Sequence, residues 1–416
     1  MPQYPRPTPI FDNLDNFDLA QPVSPLYSED LLIAQRFLKQ YDGNNTTFVA
    51  YRREIERLMQ WAWVIRNKSI INLDREDIET YIQFCIKPPK SWIGLKSQRR
   101  FIEKDGVRSP NSAWRPFVVR LSKADHQKGT EPNKTHYKLS QKAIREIFTV
   151  TSSFYNNLLQ EGLIKANPVA LIKQKSRYLQ KQQQKEHIRR LTDRQWQCCL
   201  ETAKLMADKE PKKYERLRFI ITALYLMYLR ISELTATERW QPQMGHFYQD
   251  SQENWWFKTV GKGNKLRNIA VSDEMLEALM HYREKQGLPP LPYPSDPTPL
   301  ITKLNGHGAI TSDRQIRRLV QTCFDQTIER LNNKGFHDEA NSMEQATVHW
   351  LRHTGISDDI NKRGRPVAHV RDDAGHESIA TTDRYNDIVL QERHQSAKHK
   401  STTQINKGSK IYGKDN

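Results

Sequence analysis

From Thr46 onward, apolar side chains recur at three- and four-residue steps through Phe48, Tyr51, Ile55, Leu58 and Ala62, with Arg52, Arg53, Glu56 and Arg57 between them. That period predicts an amphipathic helix with a basic outer face. Asp74, followed by Glu76 and Asp77, predicts the start of a shorter helix through Ile78, Tyr81 and Ile82, which stops before Pro88-Pro89. The helical period returns from Ser140 through Ile144, Ile147, Val150, Phe154 and Leu158, and Gly162 and Asn167-Pro168 interrupt it. Leu191-Thr192-Asp193 predicts a helix N-cap, and the stretch 215–235 is apolar enough for a buried helix. The period then changes. Phe247-Tyr248, Trp255-Trp256-Phe257 and Leu266 to Val271 alternate or cluster as short strands, the last two joined by a turn at 261–265. Ser312-Asp313 opens a helix through Ile316, Leu319, Cys323 and Ile328, and short helices are expected from 347 to about 395. The predicted class is mainly α with a small antiparallel β-sheet.

Stretches without a period divide the chain. Residues 1–25 carry Pro2, Pro5, Pro7, Pro9 and Pro22 and are expected to form a loosely ordered arm. A helical domain is expected over 26–180, interrupted by a basic insertion at 87–135. There Lys87, Lys90, Lys96, Arg99, Arg100, Lys104 and Arg108 interleave with Trp92, Phe101 and Trp114, with room for short strands. A basic linker at 181–190, a second domain at 191–395 and a basic tail at 396–416 complete the division. The Trp61/Trp63 and Trp255/Trp256 pairs have no motif around them and are expected in the cores.

Composition narrows the class of function. The 416 residues contain 65 Lys and Arg against 48 Asp and Glu, a formal charge of +17. That length favours two domains. With 37% hydrophobic residues the chain can build cores, yet no apolar run approaches the ~20 residues of a bilayer span. The N-terminus has no basic-then-apolar signal pattern, so a cytoplasmic, nucleoid-associated protein is expected. Cys85, Cys198, Cys199 and Cys323 form no CxxC, which argues for reduced core residues rather than a disulfide framework or a metal site. The positive surplus points to a polyanion, because each neutralised phosphate releases condensed counterions.

Four clusters in the second half could handle a phosphodiester: Arg230-Ile231-Ser232-Glu233-Leu234, Gly261-Lys262-Gly263, His349-Trp350-Leu351-Arg352, and Gly375-His376 followed nine residues later by Tyr385. An arginine offers a planar fork for two phosphate oxygens, and two arginines spread the charge of a pentacoordinate transition state. A lysine on a Gly-flanked turn can protonate a leaving oxygen, histidines complete the polar shell, and a tyrosine hydroxyl can become a covalent nucleophile. Taken singly, each has an ordinary reading as a helix residue, a solvated hairpin tip or a surface pair. Their order and spacing together are what single them out.

In that order the clusters resemble the tyrosine recombinase (phage integrase) family. Leu229 to Leu234 reads like its first arginine box, Lys262 in 260–267 like its hairpin lysine, His349 to Thr354 like its HxxR box, and Gly375 to Tyr385 like its Gly-His box and nucleophile. The likeness is strong over 187–395 and weak over 26–180, which looks like a helical, SAM-like core-binding domain ahead of an α+β catalytic domain. It implies cutting and rejoining of double-stranded DNA at specific sites through a 3′-phosphotyrosyl link, with no cofactor, metal or ATP. Tyr385 would be nucleophile, Arg230 and Arg352 phosphate clamps, Lys262 general acid, His349 and His376 proton-transfer and phosphate ligands, and Glu233 the support behind the arginine box. Arg52, Arg53, Arg57, Lys96, Arg99, Arg100, Lys265 and Arg267 are the remaining candidate DNA contacts. The resemblance further implies a homotetramer in the synaptic complex, a monomer when free, and a directionality factor as an optional partner. A segment from Asn386 to about His399, with Ile388, Val389 and Leu390, would be donated to a neighbouring protomer. Departures from the family pattern are Trp350 after His349 and Ala374, preceded by Asp372-Asp373, before Gly375. Integration or excision of a mobile element or prophage is the most concrete reading, and a site-specific resolvase is equally consistent with the chemistry. DNA relaxation of the type IB topoisomerase kind, or a catalytically silent DNA-binding architectural role, remains open.

Overall fold

The computed structural model describes residues 4–12, 27–122, 125, 129–170, 172, 178, 189–261, 263–305, 307–385 and 397–398. Its contacts divide the chain into two compact units, Met1–Lys185 and Glu186–Asn416.

The first unit is built on α1 (Ser28–Lys39), α2 (Asn45–Trp61, continued by a π-helical turn to Arg66) and α3 (Arg75–Ile86). After them come β1 (Ile93–Gly94), β2 (Phe101–Lys104), β3 (Val107–Pro110), β4 (Phe117–Val118) and α4 (Gln141–Gln160). Polar caps start the helices where the sequence places them: Asn44 accepts from Thr47 N–H, Asp74 and Asp77 form a reciprocal box, and Ser140 accepts from Ala143 N–H. Within the insertion, β2 and β3 form a hairpin with Phe101 opposite Pro110, while β1 pairs with β4 in parallel. Trp61, Tyr81, Trp92, Phe148, Phe154 and Tyr155 fill the core.

Two expectations for this unit are corrected. Residues 4–12, read as part of a loosely ordered arm, form a strap packed into the core, with Phe11 fully buried. The stripe Arg52, Glu56, Gln60 on α2 meets the main chain of that strap: Arg52 donates to Asp12 O, Glu56 accepts from Ile10 N–H, and Gln60 donates to Thr8 O at 2.6 Å. Arg100 donates to Phe11 O at 3.1 Å, and Trp92 Nε1 to Pro5 O at 3.1 Å. Prolines at 5, 7 and 9 stiffen the strap and lower the entropy lost on docking, so here proline content marks order rather than its absence. The basic outer face of α2 is the second correction. Arg52 and Arg57 are buried, Arg57 pairing with Glu54 at 2.8 Å and donating to Pro116 O at 2.9 Å. Arg53 pairs with Glu54 and Glu146, and Arg100 pairs with Glu56 and lies over Trp114. Of the candidate DNA contacts in this unit, Lys96 and Arg99 are exposed.

The second unit opens with α5 (Asp193–Lys209), capped by a Thr192/Gln195 box, then α6 (Pro211–Leu226). β5 (Phe247–Gln249), β6 (Trp255–Val260) and β7 (Leu266–Ala270) form an antiparallel sheet in the order β5-β6-β7, with Phe257 opposite both Phe247 and Ile269. Helices α7 (Asp273–Glu284), α8 (Asp313–Asn333), α9 (His337–Met343), α10 (Val348–Asn361), α11 (Val367–Ala374) and α12 (Ile379–Asp383) follow. Phe219, Leu224, Phe257, Phe324 and Leu351 lie in the main core, and Tyr228, Ile356, Val370, Ala374 and Tyr385 form a smaller one beneath the site described below. All four cysteines are free and buried. Trp61 is fully buried, whereas Trp63, Trp255 and Trp256 are half-buried. Among the described residues no helix is long and apolar enough to cross a membrane.

Helices α6 and α10 approach so closely at Gly355 that a Cβ there would lie 2.0 Å from Tyr225 O. Glycine inside a helix ordinarily costs about 1 kcal/mol relative to alanine, so Gly355→Ala would stabilise an open position. Against a backbone carbonyl the overlap wins. Gly355→Ala is expected to destabilise this unit by about 1–3 kcal/mol, seen as a lower Tm in a thermal melt; an unchanged or higher Tm would show that the helices can part without loss.

Candidate active site

The buried helix expected over 215–235 ends at Leu226, and this break creates the site. Tyr228 turns the chain with φ +50, a left-handed value rare for a residue with a Cβ. Two contacts hold it there: its hydroxyl donates to Asp359, and its carbonyl accepts from Arg352. Arg230 follows in extended conformation just ahead of a 3₁₀ turn, Ile231–Glu233. Glu233 is 1% exposed and accepts from Arg230 N–H at 2.7 Å, Arg230 Nη1 at 3.1 Å and Arg267 Nη2 at 2.8 Å. One carboxylate thus orients two guanidiniums.

Arg352, on α10, is 2% exposed. Its Nη1 donates to Tyr228 O, and its Nη2 to Ala374 O at 2.6 Å and towards His376 Nε2 at 3.2 Å. Ala374 O also accepts from Arg267 Nη1 at 2.9 Å, and Gly375 O from Arg230 Nη2 at 3.1 Å. The end of α11 therefore collects three arginines on two consecutive carbonyls. What position 374 supplies is its carbonyl and a small buried methyl, so alanine in place of leucine leaves the arginine ligation intact. Gly375 adopts φ +60 to end the helix, and a Cβ there would lie 2.5 Å from Arg267 Nη1. Arg267 is consequently a member of this cluster and not the surface DNA contact expected of it. Lys265 is exposed and pairs with Glu377 at 2.8 Å.

With three guanidiniums close together, burial and mutual repulsion set the protonation of their neighbours. Burial, then Arg230 and Arg267, push Arg352 down to about 9, so it stays charged at neutral pH. Burial followed by Arg352, Arg230 and Arg267 pushes His376 down to about 4, leaving a neutral imidazole. Its Nε2 accepting from Arg352 leaves Nδ1 to donate to Thr382 Oγ1 at 2.8 Å. His349 is likewise lowered, by burial first and then Arg352. Tyr385 follows α12 and is 6% exposed; its N–H donates to Thr382 O at 3.0 Å, and its O accepts from Asn361 Nδ2 at 2.8 Å.

Five of the six predicted catalytic residues, Arg230, His349, Arg352, His376 and Tyr385, lie in this one neighbourhood, linked through Ala374, Gly375 and the stacked rings of His376 and Tyr385 at 6.0 Å. His349 joins by its edge-on contact with His353 at 4.5 Å. Lys262 lies outside the described residues; of the residues around it, Gly261 N–H donates to Lys265 O at 2.8 Å. Residues 386–396, which hold most of the segment expected to be donated to a neighbour, and the tail at 399–416 are also outside them. One residue escaped the sequence reading. His353 Nδ1 is 2.6 Å from the Tyr385 hydroxyl. Its signal was the four-residue step from His349, which places both imidazoles on one helix face.

Residues 189–392 match the model of the phage integrase family. Among curated proteins, the chain is 24% identical over 270 residues to the tyrosine recombinase XerC of Chlorobaculum parvum, covering 63% of this chain and 71% of the relative. It is 25% identical over 300 residues to the XerC of Bacillus licheniformis, covering 71% and 83%. Among solved structures, the XerH site-specific recombinase bound to palindromic difH substrate superposes with a TM-score of 0.54 at 14% identity, covering 91% of each chain. The Tn1549 transposon integrase in complex with a circular intermediate DNA gives 0.52 at 17% identity, covering 88% of this chain and 98% of the other. At these identities the structural likeness establishes a shared fold.

Proposed function

Since the chain belongs, through residues 189–392, to the phage integrase family of tyrosine recombinases, we propose that it cuts and rejoins double-stranded DNA at specific sites for the integration or excision of a mobile element or prophage. The observation that carries this reading is the meeting of Arg230 and Arg352 at the end of α11, 3.1 Å from Gly375 O and 3.2 Å from His376 Nε2, with the Tyr385 ring stacked beside His376. Two guanidiniums placed together before any phosphate arrives form a pre-organised anion site, which need not reorganise as charge builds on the phosphoryl oxygens. Glu233 neutralises one positive charge of three, so the pocket keeps an excess suited to a phosphodiester.

In this scheme a non-bridging oxygen sits between Arg230 and Arg352 while the Tyr385 oxygen attacks phosphorus and the 5′ oxygen departs. Lys262 supplies the proton for that leaving oxygen. His376, neutral and already hydrogen-bonded on both nitrogens, fixes the Arg352 fork instead of moving protons itself. Rejoining reverses these steps, with the phosphodiester energy stored in the tyrosyl ester. Four protomers acting on two duplexes, tied by the segment after Tyr385, complete the reaction.

The test is to incubate the protein with fragments of the DNA surrounding its own gene, denature, and sequence the DNA ends that remain attached to protein. Recurrent sites bearing protein on the 3′ end and a free 5′ hydroxyl are expected. Adducts spread over all sequences together with plasmid relaxation would make it a type IB relaxing enzyme; no adduct at any site would leave a silent DNA-binding protein.

A further inference from the structure

We propose that His353 is a catalytic residue, receiving the Tyr385 proton on Nδ1 during attack. The inference rests on the recombinase reading above and moves proton transfer at the tyrosine from His349 and His376 to His353. Among the described residues the Tyr385 hydroxyl has one hydrogen-bond partner, His353 Nδ1 at 2.6 Å, with the two rings nearly parallel at 24° and 5.5 Å apart. The other histidines are differently engaged. His376 has Nε2 against Arg352 and Nδ1 against Thr382, and His349 meets the His353 ring edge-on at 84°. A phenol with no other acceptor donates, so we assign the His353 proton to Nε2 and leave the Nδ1 lone pair facing Oη.

The surroundings decide when this base works. His353 faces His349 and Arg352 from its own helix, His376 from the loop after α11, and Arg384 and Tyr385 from the segment after α12. Burial, then His349, Arg352, His376 and Arg384, push it down to about 3. Burial raises Tyr385 in opposition to Arg352, Arg384 and Arg230. In the free protein the imidazole is therefore neutral and weakly basic and the phenol protonated, and the hydrogen bond between them holds the nucleophile in place. A phosphodiester seated between Arg230 and Arg352 brings negative charge into this positive surround, which favours an imidazolium nearby. DNA therefore switches on the base that activates the tyrosine.

In the step itself the Oη–H bond breaks towards Nδ1, an oxygen lone pair forms the Oη–P bond, and the P–O5′ bond breaks. The leaving 5′ oxygen keeps that electron pair and takes a proton from the general acid. On rejoining, the 5′ hydroxyl gives its proton back to the general acid as its oxygen attacks phosphorus, the P–Oη bond breaks, and the His353 imidazolium returns its proton to the departing phenolate.

The experiment compares wild type, His353→Asn, His353→Phe and Tyr385→Phe on a nicked duplex carrying a mapped site, reading adduct formation in a single turnover from pH 6 to 9, gel-shift affinity and thermal melting. The Asn variant presents an amide oxygen near the Nδ1 position, so it keeps an acceptor and loses the base; it carries the test even if the Phe variant misfolds. Its affinity is expected within about threefold of wild type and its rate about 10²–10⁴-fold lower. That rate should climb about tenfold per pH unit, because the phenolate must form without a base, while wild type levels off above the imidazole pKa of the complex. An Asn variant at wild-type rate, or a slow one with the wild-type pH profile, would overturn the proposal and leave His353 a structural neighbour. Absence of any adduct in wild type would instead remove the recombinase reading itself.

Discussion

Tyr385→Phe is expected to abolish the covalent protein–DNA adduct while duplex binding stays within a few-fold of wild type. The substitution removes one oxygen and keeps the ring that packs with Tyr228, Ile356, Val370 and Ala374. Among the described residues the oxygen's one hydrogen bond is with His353, and losing a bond of this kind costs about 1 kcal/mol of stability, too little to unfold the unit. On the proposed reading phosphate is held by Arg230 and Arg352, which make no hydrogen bond to Tyr385 among the described residues and so keep their geometry. A nicked suicide duplex, in which the cut 5′ fragment diffuses away, traps the adduct on a denaturing gel. Wild type should give a shifted band and the variant none. A shifted band from Tyr385→Phe would show that another side chain attacks.

Arg352→Lys is expected to lower the rate of adduct formation about 10²–10³-fold, the range found when one pre-organised donor to a developing oxyanion is lost. The guanidinium holds its place by donating in three directions, to Tyr228 O, Ala374 O and His376 Nε2. An ammonium has three protons on one atom and no planar fork, so it cannot hold the two carbonyls and also face a phosphate. It retains the charge, and affinity for DNA should therefore fall less than the rate. Burial, then Arg230 and Arg267, make a charge at this position costly, and lysine keeps that charge while losing part of the hydrogen bonding to Tyr228 O, Ala374 O and His376 Nε2, so the melting temperature should fall as well, by the equivalent of about 1–3 kcal/mol. Single-turnover kinetics beside a thermal melt measure both. A rate within threefold of wild type would mean that transition-state charge is carried elsewhere.

The grouping of Arg230, His349, Arg352, His376 and Tyr385 was legible because each lies in a short run whose residue types and spacing form a recognisable motif. Caps at Asp74, Ser140 and Thr192 were legible because a side-chain oxygen satisfies nearby amides whatever lies around it. The β6–β7 pair could be read from alternation alone. Features set by distant partners could not. The end of α6 at Leu226 depends on Asp359 and Arg352 holding Tyr228 in a left-handed turn, and a local pattern of apolar residues continues straight through it. Arg52 and Arg57 looked solvated because periodicity counts charge as exposure, whereas their partners lie 40 and 59 residues away. Arg267 read as a surface cation for the same reason, since Glu233 is 34 residues back and Ala374 is 107 ahead.

The strap over α2 bears on how this sequence can change over generations. Its contacts at positions 8, 10 and 12 with Gln60, Glu56 and Arg52 use carbonyls and an amide of the main chain, which every residue type has, apart from the amide that proline lacks at position 10. Thr8, whose side chain is exposed, can therefore be replaced with its bond intact, while Ile10 and Phe11 are tied to their places in the core. Selection falls on the other partner. The four-residue rhythm of Arg52, Glu56 and Gln60 is the durable mark of this strap, and distant descendants should retain that rhythm together with an apolar pair at positions 10 and 11 after the residues before them have drifted.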